Sequence, residues 1–375
     1  MGQQFSPLPV LIGDAMVWLV GGGLSMFVPD QRDGVMALAY VHALAEHGVH
    51  GLVIVEPDDT FVSVGFFDDF EEAIDAKRCE TLGLPVARRR IGGGPVLLGP
   101  GQVFYQLVLP RDSTLIRGSL SDTYRRLSEP VIAAYAKLGV PVTYRPVNDL
   151  VTADQRKISG QGAADIAGSF CFVGAVLRRF DTELMAQVLR VPDEKMRYKL
   201  HRSLADNVTS ISAATGREPS TTEVSAALIE SFEELTGQLE RSELPAETVA
   251  RARAICAELT SPAELARRTG RAHNTIKLRE GVQTRLGSYK APGGLIRAVV
   301  DVRDGVVEAA EVTGDFTFVP TEAFPGLAAS LAGVAFDARS VCQAVGSYML
   351  EHGVDCPGVS PDDFAVAITG DAADT

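Results

Sequence analysis

The chain has 375 residues, 46% of them hydrophobic and 22% charged, and a formal net charge of −13. That length exceeds one ordinary domain and supplies enough apolar residues for a sizeable core. A pI near 5.0 disfavours generic nucleic-acid binding through phosphate contacts but leaves room for one local basic site.

The N-terminal segment through Asp30 is apolar-biased, yet no basic region precedes it and Asp14 interrupts it, so it reads as strand and turn and not as a membrane span. DQRDGVMALAYVHALAEHG then predicts a helix ending at Gly48, followed by a buried strand in GLVIVEP and another in TFVSVGFF. A short acidic helix runs to Glu80. LPVARRRIGGGPVLLG should bring a strand into a glycine turn and out again, as a hairpin or tight loop, and VFYQLVLP is a further strand. Leu120, Tyr124, Leu127, Val131, Ala134 and Leu138 share one helical face, with Gly139 as the stop and Pro130 inside. VPVTYRP and NDLVTADQRKISG read as strands around a polar turn. Ser220 and Glu223 fit a capping box opening the next long helix, and further helix covers about 246–269. The tail changes character: GGLIRAVVDVRDGVVEAAEVTGDFTFVP predicts strands turning at Asp304-Gly305, and a closing helix ends at Gly353, with DAADT frayed. This order implies an α/β (α+β) protein with a mixed or antiparallel sheet and flanking helices over residues 1–260, and a small α+β domain over 261–375.

Two stretches carry chemistry. Arg88-Arg89-Arg90-Ile91-Gly92-Gly93-Gly94 sets guanidinium groups beside bare backbone, a combination suited to cradling phosphate or carboxylate. It is neither a Walker loop, which ends in Gly-Lys-Ser/Thr, nor a dinucleotide fingerprint, because position 97 is Leu and strand follows. Asn148-Asp149 precedes Lys157-Ile158-Ser159-Gly160, where a lysine ahead of small residues can reach a bound anion unobstructed. The six histidines show no metal-ligand spacing. The five cysteines form no CxxC pair, which fits a reducing, cytoplasmic setting.

The ordered set of Arg-Arg-x-x-Gly-Gly-Gly, Asn-Asp and Arg-Lys-Ile-Ser-Gly resembles the lipoate-protein ligase family of the biotin and lipoate ligase superfamily. Gly174-Ala175-Val176-Leu177, Val191–Lys195, Asn207–Ile211 and Gly314-Asp315-Phe316 continue the likeness, the last in the position of the family's small accessory domain. The resemblance implies an ATP-dependent ligase that converts lipoate (or octanoate) to acyl-AMP and transfers it to a lysine of a lipoyl carrier domain, of the E2 or glycine-cleavage H type. It implies Lys157 as the catalytic residue and Arg89, Gly92, Gly93, Gly94, Asn148, Asp149, Ser159, Gly160 and Lys195 as adenylate-binding. Asp149 is the candidate ligand for Mg2+, and Lys195 falls on a loop that folds over the adenylate. An apolar slot for the acyl chain is expected around Val62, Val64 and Val173.

Ile91, Leu98, Gln102 and Val173 depart from the family pattern, each removing a familiar hydrogen-bonding group. The alternatives are an octanoyl or lipoyl transferase on the same fold and a catalytically weak lipoate or adenylate sensor or partner subunit. A thioester route is disfavoured because TYRPVNDLVTADQRK carries no cysteine and Cys171 lies between two phenylalanines.

Overall fold

A computed structural model describes residues 8–12, 15–19, 24–267 and 281–371. β1 (Leu8–Ile12) and β2 (Ala15–Leu19) pair antiparallel, and β3 (Ser25–Phe27) leads into α1 (Gly34–Glu46). GVMALAYVHALAE is apolar almost all round, and α1 is accordingly buried along nearly its whole length. β4 (Gly51–Val55) and β5 (Phe61–Val64) follow as two wholly buried strands. The acidic helix is broken in two, α2 (Phe70–Ala73) and α3 (Ala76–Thr81), because Ile74 is extended and the Asp75 carboxylate caps a new helix by accepting from Arg78 N–H.

β6 (Val86–Arg88) and β7 (Val96–Leu98) hold the two ends of the arginine–glycine stretch, but they do not pair with each other. β5 lies between them, parallel to β6 and antiparallel to β7. The expected hairpin is therefore a loop that bridges across the end of β5. The reason lies in β5: a buried strand needs backbone partners on both edges, and β6 and β7 supply one each.

β8 (Gln102–Pro110), α4 (Leu120–Lys137), β9 (Val142–Arg145), β10 (Asp149–Thr152), β11 (Lys157–Ile166) and β12 (Ser169–Leu177) complete the central sheet. α5 (Thr182–Val188), α6 (Glu194–Asn207), α7 (Ile211–Thr215), α8 (Thr221–Thr236), β13 (Glu240–Arg241), α9 (Ala246–Leu259) and α10 (Pro262–Ala266) follow. The sheet has eight strands in the order β13-β3-β4-β8-β12-β11-β10-β9, parallel among the first three and antiparallel elsewhere. Alternation assigns its faces. Leu52, Val103, Tyr105, Leu107 and Phe172 pack with Tyr124, Leu127 and Val131 of α4 and with Leu228 and Phe232 of α8. Val53, Phe104, Val108 and Cys171 pack with α1 and α9 on the other side. The capping box of Ser220 and Glu223 forms at α8.

The C-terminal part has its own three-stranded sheet, β14 (Val282–Ala291), β15 (Gly294–Arg303) and β16 (Val306–Gly314), with Asp304 and Gly305 at positive φ in the turn. α11 (Phe324–Ala329), α12 (Ala338–Glu351) and α13 (Pro361–Thr369) pack on it. α13 follows the helix read as the last one; Pro361 at its start and a Ser360–Asp363 capping box set it off. The DAADT end lies outside the described residues from position 372, as does the expected helix beyond Arg267.

This part docks through Phe67, whose ring stacks on Phe316 at 5.5 Å between centroids and contacts Phe318 and Phe324. Arg297 of β15 donates to the buried Asp68 carboxylate at 2.8 Å, and Gly314 N–H donates to Phe67 carbonyl oxygen at 2.7 Å. Phe67 is 1% exposed, so Phe67→Ala should remove about 3–5 kcal/mol of stability. Urea unfolding followed by fluorescence and circular dichroism will measure this, and an unchanged midpoint would show that the aromatic cluster is not what joins the two parts.

Candidate active site

The three arginines before the glycines serve three different purposes. Arg88, wholly buried, donates to the carbonyls of Gly65 and Asp68 and to those of Glu264 and Leu265 in α10, at 2.7–2.9 Å. Arg90 is ion-paired with Glu46, and with Glu258 at 2.7 Å, and Arg251 joins the same two carboxylates. Arg89 lies beneath the glycine loop. It donates to Gly92 O and Gly94 O at 2.8 Å each, with a longer bond from Nε to Gly92 O, and to Ser63 O at 3.2 Å and Ser63 Oγ at 3.4 Å. All five guanidinium donors thus meet protein oxygens. Burial lowers its pKa to about 10, so it stays charged at neutral pH. Here Arg89 organises the loop from within, with its donors directed to protein oxygens.

The loop fits against two neighbours. A Cβ at Gly65 would sit 1.7 Å from Gly93 O, so glycine must follow β5 for the loop to cross it. From the C-terminal part, Phe316 carbonyl oxygen accepts from Gly93 N–H at 3.1 Å, and the Asp315 side chain lies beside Gly94. The N–H groups of Gly92 and Gly94 have no protein acceptor among the described residues.

Lys157 begins β11, and its ammonium lies 2.6 Å from Asp149 Oδ1; Arg145 takes Asp149 Oδ2 at 2.9 Å. A Cβ on Gly160 would be 2.9 Å from both Cε and Nζ of Lys157, so the lysine lies folded over that glycine. Two residues along the same strand, a Cβ on Gly162 would meet Ile91 Cγ2 at 2.8 Å and Val173 Cγ2 at 3.5 Å. Residues two apart share a strand face at about 7 Å spacing. Lys157 and the head of the glycine loop therefore stand side by side on one face of β11, positioned by two glycines.

The other expected residues are placed as follows. Asn148 donates its side-chain amide to Gln161 O, and its carbonyl accepts from Gln161 N–H at 2.9 Å, locking the turn before β10 to β11. Ser159 is buried and donates to Ala175 O at 2.8 Å. Lys195 is exposed in the first turn of α6, a helix where a loop was expected, because Asp193 caps it by accepting from Met196 N–H at 2.8 Å. Val62 and Val64 pack with Ala73, Cys79, Leu97 and Met185, in a cluster separate from Val173. Val173, Ile91 and Leu98 instead share one cluster. A cavity of about 590 Å³ opens at the exit of the glycine loop, lined by Leu98, Gln102, Arg179, Asp181 and His201 among others. No group of His, Cys, Asp and Glu among the described residues forms a metal-binding set, and no described helix is long and apolar enough to cross a membrane.

Sequence reasoning passed over His42. It is wholly buried behind Arg89 and Arg90, neither ring nitrogen has a partner among the described residues, and burial with those cations lowers its pKa to about 3. Only its place within the apolar run of α1 hinted at this.

The eight-stranded sheet thus carries a lysine, and the loop of the small sheet sets its glycines beside it, over Gly160 and Gly162 of one strand. The chain belongs to the lipoyl protein ligase A/B catalytic domain family, whose model matches residues 35–233. It is 28% identical over 211 residues to lipoate-protein ligase A subunit 1 of Thermoplasma acidophilum, covering 53% of this chain and 78% of that one. It is 27% identical over 195 residues to octanoyltransferase LipM of Exiguobacterium sibiricum, covering 46% and 70%. Its fold is similar to the bipartite lipoate protein ligase from T. acidophilum (TM-score 0.59, 24% identity, 67% of this chain and 98% of that one). It is also similar to P. falciparum LipL1 in complex with lipoate (TM-score 0.61, 13% identity, 86% and 94%).

Two outcomes test this geometry. Gly162→Ala should cost about 1–3 kcal/mol by pressing on Ile91, and less in an Ile91→Ala background, which lacks the Cγ2 that the new methyl would meet; equal losses in the two backgrounds on urea unfolding would separate Ile91 from Gly162. His42 has a folded pKa near 3, below the unfolded value, so the unfolded state binds more protons between those limits. Stability should therefore fall as pH drops below about 6.5, by up to about 1.4 kcal/mol per pH unit. His42→Leu should flatten that slope in melts taken from pH 4 to 7.

Proposed function

We propose that this chain is an ATP-dependent lipoate-protein ligase, which activates lipoate or octanoate as acyl-AMP and passes the acyl group to a lipoyl carrier lysine. The observation that carries the reading is the placement of Lys157 over Gly160 with the glycine loop over Gly162, a cation and a backbone anion cradle about 7 Å apart on one strand face. A carboxylate oxygen of the acid attacks the α-phosphorus and pyrophosphate leaves with the broken P–O bond. The carrier ε-amine then attacks the acyl carbonyl, an amide forms, AMP leaves, and the amine gives up a proton. In both steps negative charge develops on oxygens between the loop and Lys157, where the ammonium stabilises it. Asp149, flanked by Lys157 and Arg145, holds the lysine on that side of the strand.

The cavity at Leu98 and Gln102 falls within the size range of small-molecule sites and would take the nucleoside end. Ile91 and Val173 would border the acyl chain. With both Asp149 oxygens engaged, Mg2+ fits as a companion of the nucleotide phosphates and not as an ion in a protein cage. The C-terminal sheet, which reaches the glycine loop through Asp315 and Phe316, fits an accessory domain. Relatives carrying the name octanoyltransferase motivate transfer from an acyl carrier through a thioester as the second reading. Against it, Cys171 is wholly buried and burial pushes its thiol pKa far up, which suppresses the nucleophilic thiolate.

Lipoate-dependent ATP–pyrophosphate exchange tests the choice. The wild-type chain should catalyse it, and Lys157→Ala should lower it by about 10²- to 10³-fold with the circular dichroism spectrum unchanged. Exchange that survives in the variant would remove Lys157 from the chemistry. An acylated cysteine found by mass spectrometry after incubation with an octanoyl carrier, without exchange, would favour the transferase.

A further inference from the structure

Helix α6 presents two unlike faces. Its inner face carries Arg197, Leu200, His201 and Leu204. Arg197, only 8% exposed, donates to Ala186 O and Gln187 O at 2.8 Å and to Leu189 O at 3.0 Å, closing the C-terminal end of α5. His201 lines the cavity beside the glycine loop. The outer face carries Lys195, Tyr198, Lys199 and Arg202 at spacings of three, four and seven, which is one helical stripe. All four are exposed, Tyr198 to 63%. None of the three cations has an ion-pair partner among the described residues, although Asp206 stands one turn beyond Arg202.

The stripe runs against the character of the chain, which is acidic by 13 charges. An acidic partner is repelled by most of such a surface and drawn to the part that is basic. An exposed tyrosine among the cations adds apolar contact area at little cost in side-chain entropy, as at many interface centres. The helix also leads straight to the candidate catalytic lysine. It ends at Asn207, Val208 bridges to Lys157, and Thr209 N–H donates to Lys157 O at 2.8 Å. Tyr198 lies about 15 Å along the helix from Val208, within the footprint of one ordinary interface.

We propose that the Lys195–Tyr198–Lys199–Arg202 stripe of α6 is the docking surface for the carrier domain, and that it recognises an acidic face of that domain beside its acceptor lysine. This rests on the function proposed above, because a carrier is required only if an acyl group is handed on. Docking here seats the acceptor on the solvent side of α6 while the acyl-adenylate lies on the inner side, so the amine approaches past the C-terminal end of the helix.

The test uses the full chain, an acidic unlipoylated E2 lipoyl domain as probe, and the variant Tyr198→Ala/Arg202→Glu. At low salt the variant should bind the probe about tenfold more weakly by calorimetry, with the KM for the probe raised to match. Binding to the wild-type chain should weaken as salt rises, while lipoate-dependent pyrophosphate exchange is the same in both. Unchanged probe affinity in the variant overturns the proposal. So does loss of exchange with probe binding intact, which would assign the stripe to the nucleotide. A wild-type chain that binds the probe through the stripe yet runs no exchange would support the docking surface and defeat the ligase reading.

Discussion

The site depends on one buried cation. Arg89 directly follows β6 of the small β6-β5-β7 sheet, is 8% exposed as a residue, and has no carboxylate bonded to it among the described residues. A buried charge without such compensation is costly, and here carbonyl oxygens of Ser63, Gly92 and Gly94 provide it. Their inward turn fixes the loop. In a trans peptide the C=O and N–H point opposite ways, so drawing Gly92 O toward Arg89 turns Gly93 N–H outward. The charge that seemed suited to a ligand therefore shapes the backbone that would meet one.

That outward N–H meets Phe316 O, which makes the C-terminal part a constituent of the loop's environment. The contact needs glycine at position 92, where a Cβ would lie 2.4 Å from Phe316 O. The surrounding attachment is mostly apolar, with Phe67 inserted among Phe316, Phe318 and Phe324, and Asp68 paired to Arg297 at its edge. Burial raises the Asp68 pKa while the Arg297 cation opposes that rise. Any rearrangement of the C-terminal part relative to the sheet must therefore disturb the glycine loop as well.

Local patterns were legible in the sequence, and pairings between distant segments were not. α4 and α8 announce themselves by apolar stripes and caps, and the order of the Arg-Gly, Asn-Asp and Lys-Ile-Ser-Gly segments was enough to imply the family. Nothing local revealed that β5 separates β6 from β7, because that depends on which buried edge needs a partner. Nor could three adjacent arginines be told apart: Arg88 is directed by α10, nearly 180 positions away in the chain, and Arg90 by Glu46 and Glu258. For Lys195 the resemblance implied a loop, whereas Asp193 acts as the cap of α6 and the residue lies in a helix.

The departures from the family pattern make physical sense once their places are known. Ile91 and Val173 meet over Gly162, and Leu98 packs into the same cluster, so three changes scattered over some 80 positions of sequence amount to one change of environment. A hydroxyl or imidazole retained alone among these side chains would be left without a partner, at a cost of about 1–3 kcal/mol. Gln102 stands apart from this group, because it retains an amide and the expected loss of a hydrogen-bonding group does not apply there. Its amide donates to Leu97 O at 3.1 Å at the rim of the cavity, where it keeps a polar group at the end of the loop. Ile91 and Val173 thus lie where the proposed acyl chain would, whereas Leu98 and Gln102 line the cavity proposed for the nucleoside.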